Sequence, residues 1–122
     1  MATIRQAGPV IELTAGPALS GHKAIALVAG VAVHADQSNP AHRGLVRGIS
    51  TGAVASGATL NAQVYGRMYE PSWAWTPDLP IYVGANGALT QTRPTSGWLQ
   101  RLAIADSATL IFIDPQPPIV LG

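Results

Sequence analysis

Along this chain the apolar residues fall in short runs that alternate with polar ones or are rich in Val, Ile and Thr. A period of two over such short stretches is the pattern of strands with one buried face. It predicts strands at Val10–Thr14, Lys23–Val28, Val31–His34, Leu45–Ser50, Thr59–Tyr65, Ile81–Val83, Ala88–Thr90, Trp98–Ile104, Thr109–Asp114 and Ile119–Leu121. Gly or Pro interrupts nearly every window long enough for an amphipathic helix, and only Pro40–Arg43 is expected to form a helical turn. The expectation is an all-β protein, a small β-barrel or β-sandwich of short antiparallel strands with extended termini.

The turns carry chemistry of their own. Asn86-Gly87 suits a type I′ turn, in which both central residues take positive φ, so Ile81–Val83 is expected to fold back onto Ala88–Thr90. Ala29-Gly30 is read as a similar turn earlier in the chain. The two halves share a grammar. IALVAGVAVHADQSNPAHRGLVRGIS and IYVGANGALTQTRPTSGWLQRLAIA both give strand, Gly turn, strand, Pro-containing polar loop, Gly and strand. GATLNAQVYG then parallels SATLIFIDP. A duplicated meander and the chance likeness of strand-rich sequence both explain this.

The ends differ from the middle. Residues 1–17 read as an extended N-terminal arm or edge strand, with Ile4 and Arg5 as its contact residues. Residues 18–122 read as a single β domain with a Pro-rich C-terminal tail, DPQPPIVLG. Proline donates no ladder hydrogen bond, so that tail is not a central strand throughout. It either reaches a neighbouring subunit or covers its own domain's edge.

Composition narrows the function classes. Of 122 residues only 11% are charged, seven Lys and Arg against six Asp and Glu, and the formal net charge of +1 is no footprint for nucleic acid. So little charge is low for a freely soluble monomer. A surface facing other protein and a surface of neutral polar residues are both consistent with it. No apolar run is long enough for a membrane-spanning helix, and MATIRQAGPV lacks the apolar core of a signal peptide. Cysteine is absent, which removes disulfides and thiolate metal sites.

Candidate chemistry is sparse. His22, His34 and His42, with Asp36, are the only residues from which a metal site could be drawn. They lack an HExxH pattern and a second acid in that loop, and read better as polar loop residues. The acids sit at predicted turns and strand ends, where they usually cap backbone. There is no GxSxG elbow, no phosphate-binding loop and no dinucleotide fingerprint. The expectation is a chain without catalytic residues, cofactor or metal.

The most distinctive stretch is EPSWAWTPDLP, residues 70–80, in which Pro71, Pro77 and Pro80 fence Trp73 and Trp75. In an extended segment residues two apart share a face. The pair is read as a clamp or a subunit contact, with Tyr69 and Pro77 beside it, in preference to a sugar-stacking platform built with Trp98, Tyr65 and Tyr82. Buried indoles bring large apolar area, and each N–H then needs an acceptor.

These features together resemble small virion proteins of tailed bacteriophages. The likeness lies in ALSGHKAIALVAGVAVHADQSNPAHRGLVRGIST, then in WAWTP with the Leu-Pro-Ile-Tyr-Val and Asn-Gly-Ala-Leu-Thr hairpin, and in the final Leu-Phe-Ile strand. It covers roughly residues 18 to 121; WAWTP with its hairpin is its specific part. The resemblance implies a structural component of the particle. The first form is a capsid decoration (cement) protein on the virion surface, a homotrimer whose partners are the major capsid protein and copies of itself. The alternative is a tail-fibre or baseplate-associated domain, with glycan as a ligand. Some such proteins carry a collagen-like insert after the first strand. Here IELTAGPALSG runs through without Gly-X-Y triplets, and neither a collagen segment nor a coiled-coil stalk supports trimerisation.

Overall fold

The computed structural model describes residues 6–7 and 9–121. It is all-β, with thirteen strands among the described residues. They are β1 Gln6–Ala7, β2 Val10–Thr14, β3 Ala24–Val28, β4 Val31–His34, β5 Val46–Ser50, β6 Thr59–Gln63, β7 Gly66–Tyr69, β8 Pro80–Val83, β9 Leu89–Thr90, β10 Gly97–Leu99, β11 Arg101–Ala105, β12 Leu110–Ile113 and β13 Ile119–Leu121. Single 3₁₀ turns occupy Pro40–His42 and Ala85–Gly87. Asn39 caps the first of these, its side-chain oxygen accepting from the Ala41 N–H at 2.9 Å.

The strands form a five-stranded sheet ordered β2-β6-β5-β3-β4, a six-stranded sheet ordered β1-β7-β12-β11-β8-β9, and a β10-β13 ribbon, and every strand pair is antiparallel. Of the two architectures expected, a closed barrel does not form. The five-stranded sheet curls until the end of β2 meets β4 at one parallel bridge, Ala15 to Ala32, without a continuous ladder. The main core lies between the two sheets. It joins Ala24, Ala26 and Ile49 to Met68, Ile81, Ala103, Ile111 and Ile113, with Trp98 beside them. Each large aliphatic side chain sealed there contributes about 1.5–3 kcal/mol. A second, smaller core on the other side of the five-stranded sheet holds Ile25, Ala32 and Leu60 under Ala15 and Leu19.

The likeness of the two halves is structural. Strands β2, β3, β4, β5 and β6 form a first unit in the order β2-β6-β5-β3-β4; β7, β8, β9, β11 and β12 form a second in the order β7-β12-β11-β8-β9. Registers agree as well. Val10, Ile11 and Glu12 face Gln63, Ala62 and Asn61; Arg67, Met68 and Tyr69 face Phe112, Ile111 and Leu110. The β3–β5 ladder skips Arg47 and the β8–β11 ladder skips Leu102, a bulge at the same place. Both hairpins turn on two successive positive-φ residues, Ala29-Gly30 (50° and 84°) and Asn86-Gly87 (51° and 80°). Two folds of one pattern, matched strand by strand, favour duplication over chance likeness.

The C-terminal tail stays on its own domain. Pro115–Pro118 lead to β13, whose Ile119, Val120 and Leu121 pair with Leu99, Trp98 and Gly97. At the other end Gln6–Ala7 pair with Arg67 and Met68, and Val10–Thr14 form an edge of the five-stranded sheet.

Candidate functional site

Residues 70–79 join β7 to β8 as a strap without strand pairing of its own. Glu70 and Ser72 start it as a tight turn. The Glu70 carboxylate accepts from the Ser72 N–H at 2.8 Å and from the Ser72 hydroxyl. The hydroxyl bond first, and the backbone bond second, hold the Glu70 carboxyl below its usual pKa. Further on, the Trp75 N–H donates to the Ala108 carbonyl at 2.9 Å and the Asp78 N–H to the Ala105 carbonyl at 2.7 Å. These bonds tie the strap to the β11–β12 turn. Gln91 grips its far side through one amide that serves both backbone groups of Thr76. Its Oε1 accepts from the Thr76 N–H at 2.9 Å and its Nε2 donates to the Thr76 carbonyl at 2.8 Å.

The two indoles sit together, ring centroids 5.7 Å apart and planes tilted by 55°. Both are half-buried and pack against the main core. The Trp73 ring also meets His22, from the β2–β3 connection, edge to face at 5.5 Å, so it touches both units. The nitrogens differ. Trp98 Nε1 donates to the Asn39 carbonyl at 3.0 Å. Trp75 Nε1 is buried and has no acceptor from the protein.

The other expected contact residues scatter. Pro77 is exposed at the strap's crest; Tyr69 is half-buried on β7, opposite Leu110. Ile4 and Arg5 lie outside the described residues. The rings considered for a sugar platform do not share one surface. Trp98 and Tyr82 are 2% and 8% exposed, while Tyr65 is 47% exposed.

The histidines each serve backbone or packing. His34 Nε2 accepts from the Ser20 N–H at 3.1 Å, and His42 Nδ1 accepts from the Asp36 N–H at 3.0 Å. Burial lowers the His34 pKa, and the Lys23 charge adds to that. Asp36 is held below the usual carboxylate range chiefly by the Ser38 hydroxyl, which donates to Oδ1 at 2.7 Å.

Two apolar surfaces escaped the sequence reading. One is β13, where Ile119 is 53% and Val120 61% exposed. The other is the outer face of the six-stranded sheet, where Tyr69, Leu110, Phe112, Ile104 and Pro80 lie half-buried. The available signal was the unbroken run Leu110–Ile113. An antiparallel strand with one wet face alternates apolar and polar; a strand apolar on both faces expects cover on both. Compared with known families, curated proteins and solved structures, the chain finds no match in any of the three.

Proposed function

We propose that this chain is a structural component of a tailed-phage particle, a capsid decoration protein that binds the shell formed by the major capsid protein and stabilises it. The resemblance around WAWTP motivates the reading. The observation that carries it is the C-terminal ribbon. There β13 is held along one edge by β10 and exposes adjacent Ile119 and Val120 by more than half. A short apolar strand with an open edge suits addition to a sheet of another protein, where main-chain bonds supply affinity and side chains supply register.

Covering the exposed halves of Ile119 and Val120 contributes roughly 1 kcal/mol each, too little for a lone contact against the cost of association. Arrayed over a lattice, many such contacts act together. The strap serves this function indirectly, by bracing the body that presents the ribbon.

The test is copy number and occupancy. Purified particles should carry the protein in many copies on the head, counted by gel densitometry. Heads stripped of it should lose resistance to heat, and Ile119→Asp with Val120→Asp should bind stripped heads weakly while remaining folded. A few copies confined to the tail tip would replace this reading with the tail-fibre one. Absence from particles would remove both.

A further inference from the structure

The two units use equivalent sheet faces unequally. In the first unit the face carrying Ala24 and Ile49, its front, is fully buried, because the rear of the second unit (Met68, Ile81, Ile111) packs in the same core. Ladder register identifies the same front in the second unit. Pro80 stands where Ala24 does, Ile104 where Ile49 does, and Tyr69 and Leu110 where Glu12 and Asn61 do. Phe112 takes the place of Gln63. That front is apolar yet only half-buried, and Tyr65 stacks edge-on against Phe112 at 5.1 Å while remaining 47% exposed. One face is therefore sealed by a unit of this fold in the first half and left open in the second.

We infer that the open front of the second unit is an interface between copies of this chain, occupied by the first unit of a second copy, head to tail. Inside the molecule a front is covered by the rear side of the next unit. The rear side still free belongs to the first unit, where Ala15–Leu19 and the Val54 turn close over the smaller core. The outward residues of that closure, Pro17, Ala18, Ala53 and Ala55, are exposed, small and uncharged. Large rings and branched side chains on one surface meet a shallow surface of small residues on the other, and no charge loses its water at the centre of the contact. The interface is heterologous, so it closes into a ring or continues as a filament. It concerns the chain alone and does not rest on the shell reading.

The test uses the full chain in sedimentation velocity over a dilution series from micromolar to millimolar. The wild type should assemble beyond the monomer. Phe112→Lys on the front and Ala55→Arg on the closure should each weaken assembly at least about tenfold with an unchanged melting temperature. Mixing these two variants should yield a heterodimer, because one intact interface remains between them. Should Phe112→Lys melt early, Leu110→Lys on the same face takes its place. A wild type monomeric throughout overturns the inference, as does a front variant that assembles normally. Normal assembly of Ala55→Arg also overturns it, since the front would then meet something other than the closure.

Discussion

The same substitution at two tryptophans should have opposite consequences. Trp98 is 2% exposed and its Nε1–H donates to the Asn39 carbonyl at 3.0 Å. That carbonyl also accepts from the His42 N–H at 3.0 Å, so it keeps one partner when the indole is removed. Trp98→Phe then loses a hydrogen bond of about 0.5–1.5 kcal/mol. It also loses packing of order 1–2 kcal/mol where the smaller ring leaves a void. The expected cost is about 2–3 kcal/mol. Trp75 is half-buried, so the void term falls to roughly 1 kcal/mol or less. Its N–H is buried without a protein acceptor, and removing such a donor returns about 1–3 kcal/mol. Trp75→Phe is expected to be neutral or stabilising.

The two variants should differ by about 2–4 kcal/mol, which for a domain of this size separates their melting temperatures by roughly 10 °C. Circular dichroism during thermal and urea unfolding measures both. Equal slopes in urea would show that only stability has changed. Equal destabilisation by the two variants would refute the reasoning, because Trp75 would then be using its N–H or filling its site as completely as Trp98 does.

Two further predictions follow from the same geometry. Gln91→Ala removes both bonds to Thr76, together worth about 1–2 kcal/mol at this accessible site, and should loosen the strap before the core. Acrylamide quenching of Trp73 and Trp75 should rise while Trp98 stays protected; unchanged quenching would mean the strap is held by its indoles alone. The His34 pKa is lowered in the fold, by burial first and Lys23 second, so the folded state takes up a proton less readily than the unfolded chain. This contribution is complete above the ordinary value of 6.5 and is lost as pH falls through the lower folded value. The wild type should therefore lose more melting temperature on acidification from about pH 7.5 to about pH 5.5 than His34→Gln does, and equal losses would remove His34 as the cause.

Much of the fold was legible because alternation and turn chemistry agree locally. Val10–Thr14, Val31–His34 and Ile119–Leu121 have the bounds read from the sequence, and the turn at Pro40 and both Gly hairpins fall where their residues predict. Gly66–Tyr69 was missed: it begins with glycine and carries one aliphatic side chain inward, Met68, too little for a periodic signal. Trp98–Ile104 was read as one strand and is two, since Gly97–Leu99 pairs with the tail and Arg101–Ala105 with β8. That break comes from a change of partner, which no local pattern records. The candidate site was half legible for the same reason. Trp73 and Trp75 announce themselves, but the open front joins Tyr69, Pro80, Ile104 and Phe112, which only cross-strand register brings together.

The repeat explains why residues 70–80 need two indoles. In the first unit the connection between β2 and β3 runs through Leu19, whose backbone exchanges hydrogen bonds of 3.0 and 2.9 Å with Val54. Val54 lies in the long β5–β6 connection, residues 51–58, and packs its side chain beside Leu19. The matching connection in the second unit, between β11 and β12, is confined to residues 106–109, Asp-Ser-Ala-Thr. It meets the strap through the Ala108 carbonyl and has no Val54 counterpart to fill the space below. A shorter turn leaves the strap to close its own end of the sheet, and a void there would forfeit packing in proportion to its volume. Trp75 stands where Leu19 stands and supplies the bulk that Leu19 and Val54 supply together, while Trp73 reaches across to His22 and ties the closure to the first unit. Large side chains in a proline-fenced strap thus follow from a turn that is short, and they are spent on packing between and within the two units.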